Sequence, residues 1–319
     1  TWWHAFKFNA LYAVSDDRRP GTSTTDPERY LGVLTHRLEF RVLDLAQFVV
    51  SEAMTFADTC PELIRELNPM MIFHNWHLTT ARVSSMLSVE LDLTPLPGLN
   101  VWGQYGQNEF ETPAEVDAAN GGVANGVTAL AFMAGAEYQL AIGHDEGPRA
   151  EPSLLGVVPG FLSLGYEWAY TYPYFAHHQN APFQWQTVYW SFLEPAQLGL
   201  IRKPLGYFTG PDSIVHTAWV RYRVPGSLTA ELSYQHRAEG EIDLSDPYPS
   251  PITPELRDLE TPTGTPQYRQ VWQLGVDVAA LRPLMLEADL YLVNTRNEHH
   301  VAGADRLDLE WSVAVAWEW

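Results

Sequence analysis

The chain has 319 residues, and its 19 Lys and Arg against 39 Asp and Glu give a formal net charge of −20 at pH 7. This acidity excludes nucleic acid as a partner, because phosphate backbones attract basic surfaces. Hydrophobic residues make up 46% of the chain, yet no apolar run approaches the roughly 20 residues that a membrane helix needs, so helical membrane proteins are excluded as well.

Alternating polar and apolar residues predict three β-strands at the start of the chain. They span residues 2–14, 30–42 and 47–56, with a long polar loop after the first and a tight turn at 43–46 after the second. Residues 57–81 break the alternation, since Pro61 suits a helix start and Asn68-Pro69 suits a helix end. We therefore predict a short helical insertion near residues 61–78.

The middle of the chain continues the alternation with further strands. They span residues 84–93, 99–109, 127–142, 161–171, 183–193 and 197–207. The link at 94–98 is a short turn, whereas residues 111–126 form a loop rich in Gly, Asn and Ala. A run of alternating segments joined by turn-forming residues predicts an all-β domain.

Two hairpins and a final strand complete the chain. The hairpins join residues 215–224 to 228–238 and residues 270–280 to 284–293, and the final strand covers 307–319. Between the hairpins, residues 239–269 hold too many prolines for a strand, and this segment is long enough to fold over the mouth of a barrel. The pattern predicts about 14 strands in one domain, residues 1–319.

The final strand has two distinct faces. One face is apolar and ends in aromatic residues: Leu307, Leu309, Trp311, Val313, Val315, Trp317 and Trp319. The other face carries the carboxylates of Asp308, Glu310 and Glu318. Lipid on one side, a wet lumen on the other and an aromatic girdle explain this pattern better than the alternative, a soluble β-sandwich. The predicted fold class is an all-β transmembrane antiparallel β-barrel of about 14 strands, within a range of about 12 to 18.

The lengths of the links predict the orientation of this barrel. With both termini in the periplasm, the short links at 43–46, 94–98, 225–227 and 281–283 all fall on the periplasmic side, and the longest links lie outside the cell. We therefore expect the protein in the bacterial outer membrane, in contact with membrane lipid and lipopolysaccharide.

Polar side chains at alternating strand positions are expected to face the lumen. In the first hairpin, arginines on one strand oppose carboxylates and amides on the other. The polar lumen residues that we predict are Glu52, Glu167, Arg221, Arg223, Glu231 and Arg237. Because Glu52 and Glu167 have apolar neighbours, we expect each to pair with an arginine such as Arg37 or Arg221.

The sequence lacks a residue pattern typical of an enzyme or a metal centre. His74 and His77 are spaced as metal ligands on a helix can be, but a third ligand at a defined spacing is missing. The carboxylates of Glu90 and Asp92 share one lumen-facing stripe, which suits a solvated wall better than the acid and base of a glycosidase. A nucleophile elbow and a phosphate loop are missing too. We expect neither catalysis nor a metal centre.

The acidic segment 239–269 is a candidate for calcium binding. Its carboxylates are Glu239, Glu241, Asp243, Asp246, Glu255, Asp258 and Glu260. A divalent cation would relieve the repulsion among them. EF-hand spacing is missing, and a solvated acidic loop explains the pattern better than a Ca²⁺ site. We expect no other cofactor.

Sugar rings stack on flat aromatic side chains beside planar polar groups, and the outer loops supply both. We predict polysaccharide ligands at Tyr172, Tyr174, His177 and Gln179, and further ligands at Trp76, Asn108 and Glu109. Tyr and Trp are equally expected at the membrane boundary, so the aromatic residues alone do not distinguish the two roles.

Six short stretches along about the first two thirds of the chain carry a family pattern. They are THRLEF (35–40), SEAMTF (51–56), ELNPMMIFHN (66–75), WGQYGQNEFETPAE (102–115), YEWAYTYPYF (166–175) and PLGYFTGPDS (204–213). Taken in this order, they resemble the Wzi-like capsule-assembly outer-membrane proteins. The resemblance implies a monomeric β-barrel with helical elements. It also implies more strands than the roughly 14 that the alternation of this chain predicts. It also implies a surface lectin that helps to hold capsular polysaccharide on the cell.

These observations predict a non-enzymatic surface lectin or anchor for capsular or other surface polysaccharide. One alternative is a diffusion channel for small solutes, in which lumen carboxylates would favour cations. Another is a structural anchor for a surface layer or a partner protein. Conductance across planar bilayers tests for the channel, and a co-purifying subunit would reveal the protein partner.

Overall fold

The computed structural model describes most of the chain as β-strands. It describes residues 5–19, 29–58, 83–109, 127, 129–143, 160–177, 186–194, 197–204, 208–244, 246, 248–249, 252–257, 259–281 and 284–317. The strands within these residues are β1 (Phe6–Arg19), β2 (Arg29–Val42), β3 (Ala46–Asp58), β4 (Val83–Leu96), β5 (Leu99–Glu109), β6 (Ala129–Ile142), β7 (Gly160–Thr171), β8 (Gln186–Glu194), β9 (Gln197–Pro204), β10 (Ser213–Val224), β11 (Leu228–Glu239), β12 (Gln267–Leu281), β13 (Leu284–Arg296) and β14 (Arg306–Trp317).

Twelve of these strands form one antiparallel sheet, ordered along the chain from β1 to β7 and then from β10 to β14. Within the described residues β8 and β9 pair only with each other, so the prediction of about 14 strands in the sheet is wrong, and twelve is the lower limit of the predicted range. β7 pairs directly with β10 from Thr171↔Ser213 to Phe161↔Arg223, which leaves no place for a strand between them. The described pairings include none between the edge strands β1 and β14, so closure of the barrel stays a prediction.

The short links lie at one end of the sheet, as predicted. They join β2 to β3, β4 to β5, β10 to β11 and β12 to β13. Gly98 and Gly226 occupy two of these turns with φ of +80° and +70°, a conformation that favours glycine. The segments between β3 and β4, between β7 and β10 and between β11 and β12 lie at the opposite end, which we call the outer end.

The two faces of the sheet differ as the alternation predicts. We call the face that carries Arg37, Glu90, Arg221 and Glu231 the inner face, and the opposite one the outer face. In β14 the large apolar side chains of the outer face are open to the surroundings, and Trp311 is 73% exposed. A row of such side chains in water would be a large apolar patch, whereas lipid solvates it.

Helical structure is short in the described part of the chain. It consists of the four-residue helix α1 (Pro254–Arg257) and a 3₁₀ turn at Glu298–His300. None of the described helices is long and apolar enough to cross a membrane. The helical insertion predicted near residues 61–78 lies outside the described residues.

Candidate functional site

Ion pairs join strands on the inner face. Arg221 and Glu231 are direct cross-strand partners, and the Arg221 Nε donates to a Glu231 carboxylate oxygen over 2.6 Å. Arg37 on β2 reaches past β3 and donates two hydrogen bonds, of 2.6 and 2.9 Å, to the Glu90 carboxylate on β4. Arg223, on the same face as Arg221, lies near the end with the short turns and is exposed. The inner wall is therefore crossed by paired charges.

Glu167 also lies on the inner face, where it accepts a hydrogen bond from an indole and not from the predicted arginine. Trp102 Nε1 donates to Glu167 over 3.2 Å, and Trp219 Nε1 donates to Glu137 over 3.3 Å. The two indole rings stack with centroids 6.3 Å apart. β6 and β7 separate the strands that carry them, and each indole lies over a glycine of the neighbouring strand, so the two rings meet above β6 and β7.

Glu52 lies on the outer face, so its prediction as a polar lumen residue is wrong. The neighbouring Ala53 packs on the inner face, and alternation turns Glu52 the other way. Its cross-strand partner is His36, and both side chains are only 8% exposed. Arg37 cannot pair with Glu52, since Arg37 points to the inner face.

The segment that follows β7 folds back onto the inner face at the outer end. Its buried residues Phe175 and Ala176 form a cluster with Leu244. This cluster packs on side chains from three strands: Ala53 on β3, Met86 on β4 and Ala131 on β6. The Phe175 ring lies so close to Gly106 on β5 that a Cβ there would come within 3.3 Å of it. We call residues 172–177 together with Leu244 the inner plug.

Hydrogen bonds tie the inner plug to its surroundings. Asn108 Nδ2 donates to the His177 carbonyl oxygen over 3.0 Å. His177 Nε2 lies 2.8 Å from the Asp243 carbonyl oxygen, to which it donates when it carries the proton. A further bond of 3.2 Å runs from the Val127 backbone N–H to the Tyr248 hydroxyl, beside the Tyr174 ring. The plug is thus attached to β5 and to the loop after β11.

Four of the predicted polysaccharide ligands meet in or beside this plug: Tyr172, Tyr174, His177 and Asn108. His177 is fully buried and Tyr174 is 8% exposed, so neither offers an open ring face to a sugar. Their packing explains their position without a ligand, and their part in binding stays a prediction. Outside the described residues lie Trp76, Gln179 and the side chain of Glu109.

Burial of His177 predicts that the inner plug is sensitive to acid. It lowers the pKa of His177, and contacts with the Asp243 and Phe175 carbonyl oxygens raise that pKa only in part. A lowered pKa in the folded state stabilises the fold at pH values above the ordinary pKa of His. This stabilisation is lost as the pH falls through the pKa of the folded state. We expect the thermal midpoint of the parent to drop as the pH falls below about 6.5, the ordinary His value, and to drop less in His177→Gln.

The control for this pH series is the exposed His299. His299→Gln should retain the full acid dependence of the parent. An unchanged acid dependence in His177→Gln would contradict the assignment to His177, whatever the absolute midpoint of the variant.

One buried carboxylate holds two outer-end loops together. Asp212, just before β10, is fully buried and accepts backbone hydrogen bonds from Thr263 over 3.1 Å and from Ile242 over 3.3 Å. The Thr263 hydroxyl donates to it as well. Burial raises the pKa of Asp212, and these hydrogen bonds lower it in part. The loop before β10 is thereby fixed to the segment between β11 and β12.

An open depression of about 360 Å³ lies between these loops. Its lining includes Phe208, Arg237, Glu239, Asp243 and His300. The Phe208 ring is 51% exposed, and the Arg237 guanidinium carbon lies 4.7 Å from the ring centroid, in cation–π contact. The depression therefore offers an aromatic surface flanked by charged and hydrogen-bonding groups.

Neighbouring side chains and backbone hold two of these polar groups in place. Gln267 Nε2 donates to the Glu239 carboxylate over 3.0 Å. His300 Nδ1 lies 3.0 Å from the Thr265 carbonyl oxygen. Groups with one fixed partner keep further lone pairs or protons for a ligand, because a carboxylate accepts several hydrogen bonds.

The sequence reasoning missed Phe208 and placed Arg237 only as a polar lumen residue. Arg237 does lie on the inner face, but near the outer end of β11, and this position brings it to the depression. Phe208 lies in the stretch PLGYFTGPDS, where a large aromatic residue precedes a Gly-Pro turn. An aromatic residue within a turn was the available signal.

Carboxylates of the acidic segment have protein partners. Glu241 accepts the Thr265 backbone N–H over 2.7 Å, and Asp246 accepts that of Asp243 over 2.7 Å. Within the described ranges, no three His, Cys, Asp or Glu side chains are grouped so that they could hold a metal ion. Calcium binding by this segment stays a prediction, and Asp258 lies outside the described residues.

Comparison with solved structures identifies an outer-membrane β-barrel of similar fold. Wzi, described as a carbohydrate-binding β-barrel of Escherichia coli involved in group 1 capsule assembly, shares 11% identity over 89% of this chain, with a TM-score of 0.51. The aligned part is 51% of the Wzi chain, so this chain spans about half the length of that protein. The predicted resemblance to Wzi is confirmed at the level of the fold.

Two further structures align with lower scores. Salmonella typhi OmpF, in complex with daunomycin, has 7% identity over 98% of this chain and 96% of its own, with a TM-score of 0.32. A Pseudomonas aeruginosa FadL homologue has 14% identity over 98% and 73%, with a TM-score of 0.28. No family model and no curated protein sequence matches the chain. The fold of this chain is similar to that of the outer-membrane β-barrel Wzi.

Proposed function

We propose that this chain is a non-enzymatic surface lectin or anchor that binds a capsular or other surface polysaccharide in the depression around Phe208. The observation that carries the proposal is the pairing of a half-exposed aromatic ring with fixed polar groups at the outer end. Sugar rings present C–H groups to an aromatic face and hydroxyls to charged or amide side chains.

The position of the depression supports this function. Lipid covers the outer face and the longest links between neighbouring strands of the sheet lie at the outer end, so a polymer outside the cell reaches the protein there. Arg237 lies beside Phe208 and Glu239 lines the same depression, and both can bind hydroxyls of one sugar ring. Wzi is described as a carbohydrate-binding barrel, and its fold similarity makes the lectin the first function to test.

The inner plug favours a lectin over a diffusion channel. Phe175 and Leu244 are buried on the inner face, where a channel would need water. The stacked indoles of Trp102 and Trp219 cross the same face. A small solute would have to displace these groups, whereas a polysaccharide bound at the outer end leaves them in place.

Phe208→Ala tests the proposal. Stacking of one ring contributes on the order of 1 kcal/mol, or about fivefold in affinity for a single unit. Repeated units bound by neighbouring proteins multiply the effect, so retention of polymer on whole cells should fall further. We expect weaker binding of purified surface polysaccharide by the variant and loss of polymer from cells that carry it.

Phe6→Ala is the matched control, since Phe6 is 52% exposed but lies at the opposite end of the sheet. This variant should retain the polysaccharide as the parent does. Equal retention by the parent and Phe208→Ala would remove the depression from the hypothesis. A co-purifying protein in place of polysaccharide would favour the structural anchor.

A further inference from the structure

The outer face changes character near the outer end of strands β10 to β13. In its lower part the exposed side chains are apolar: Val220, Leu232, Leu274, Leu290 and Leu292. Nearer the outer end, cross-strand partners form a continuous row of polar side chains: His216, His236, Gln270 and Asn294. We call these four residues the outer-face polar row. It lies two or three residues from the strand ends, or roughly 10 Å at the rise of a strand.

Contacts hold the row in a fixed arrangement. Tyr166 Oη lies 2.7 Å from His216 Nδ1, and Asn294 Nδ2 donates to Gln270 over 3.3 Å. The His236 ring stacks on Tyr268, with centroids 6.2 Å apart and planes at 15°. Aromatic and amide groups together are typical of the membrane–water interface, where a ring meets acyl chains and its polar edge meets headgroups.

The charge of this surface is opposite to that of the chain. Although the chain carries 39 Asp and Glu, the outer-face positions of β10 to β13 hold none of them. The carboxylates of these strands all lie at inner-face positions: Glu231, Glu239, Asp277, Glu287 and Asp289. Among the outer-face positions of β10 to β13, the charged residue is Arg296, which is exposed and is the cross-strand partner of Tyr268.

We propose that the outer-face polar row and Arg296 bind the phosphorylated headgroup of an outer-leaflet lipid. Polar groups on a lipid-facing wall are costly unless headgroups satisfy them, and a phosphate supplies several acceptors for imidazole, amide and guanidinium N–H groups. The absence of carboxylates from these outer-face positions removes repulsion of the phosphate. The apolar side chains below the row are placed to contact the acyl chains. This inference depends on the membrane position of the sheet and not on polysaccharide binding.

The test compares two lipids that differ only in phosphate. The full chain in a detergent with an uncharged headgroup is titrated, by native mass spectrometry, with a phosphorylated acyl glycolipid and with the same glycolipid after phosphatase treatment. We expect the phosphorylated lipid to bind about tenfold more tightly. In the double variant His236→Phe/Arg296→Leu the preference should fall to about twofold or less.

The matched control is Tyr222→Phe/Arg223→Leu, which changes an aromatic residue and an exposed arginine at the opposite end of β10. It should keep the full preference. Equal binding of the two lipids by the parent would overturn the proposal. An undiminished preference in His236→Phe/Arg296→Leu would also overturn it, once heat-modifiable migration on a gel shows that this variant is folded. Displacement of the lipid by an equal concentration of inorganic phosphate would also overturn it, since acyl contacts would then add nothing.

Discussion

Gly165→Ala is expected to lower the free energy of unfolding by about 2–3 kcal/mol. Gly165 on β7 is the cross-strand partner of Trp219 on β10, and the indole lies directly over it. A Cβ at Gly165 would come within 2.1 Å of two indole atoms, Trp219 Cε2 and Cζ2. The indole must then move, and it would lose its hydrogen bond to Glu137.

The same arrangement occurs in reverse on the neighbouring strands. Trp102 on β5 covers Gly135 on β6, where a Cβ would meet the indole at 2.4 Å, and its Nε1 donates to Glu167. An aromatic side chain that covers a glycine on the adjacent strand stabilises a sheet at a point where it bends. Gly135→Ala should therefore have a similar effect to Gly165→Ala.

The measurement is urea unfolding of the protein in lipid vesicles, followed by tryptophan fluorescence. Gly103→Ala is the control, because the nearest atom to a Cβ there is a backbone oxygen of Met133 at an ordinary 3.7 Å. It should cost much less than either of the other substitutions. Equal losses in all three variants would mean that strand propensity, and not the indoles, determines the effect.

Asp212→Ala is expected to release the outer-end loops, with a loss of about 3 kcal/mol in their docking. The substitution leaves the backbone N–H groups of Thr263 and Ile242 without their acceptor. Gly240 adds a second constraint, since a Cβ there would come within 1.9 Å of the Asp212 carboxylate. Loop release should expose the segment after β11 to added protease at a rate well above that of the parent.

Asp305→Ala is the comparison for this experiment. Asp305 is exposed and accepts a backbone hydrogen bond from Asn297 over 3.3 Å. Its loss should leave the cleavage rate of the 240–249 segment near that of the parent. If Asp212→Ala is cleaved no faster than Asp305→Ala, the loops are held by their apolar contacts and not by the buried carboxylate.

The sequence alone determined the strands, the polarity of their faces and the end at which the short turns lie. These properties depend on alternation at a period of two and on local turn residues, which the chain displays over ten to fifteen neighbouring positions. The final strand is an example, because its apolar side from Leu307 to Trp317 is exposed as predicted. The same alternation already placed Glu52 beside Val50 and Met54, and the lumen assignment failed because it assumed that every carboxylate turns inward.

The tertiary structure alone decided which strands pair and which side chains are buried. β8 and β9 were predicted as strands like the others, but β7 pairs with β10, so the hairpin is left out of the main sheet. His177 was expected in an open loop, yet it is buried by contact with Asp243, 66 residues further along the chain. Phe208 and Arg237 are also in contact although they are far apart in the sequence, and no local pattern predicts such a contact. Strand partners and loop docking depend on the total free energy of contacts between distant segments, and alternation within one segment carries no information about them.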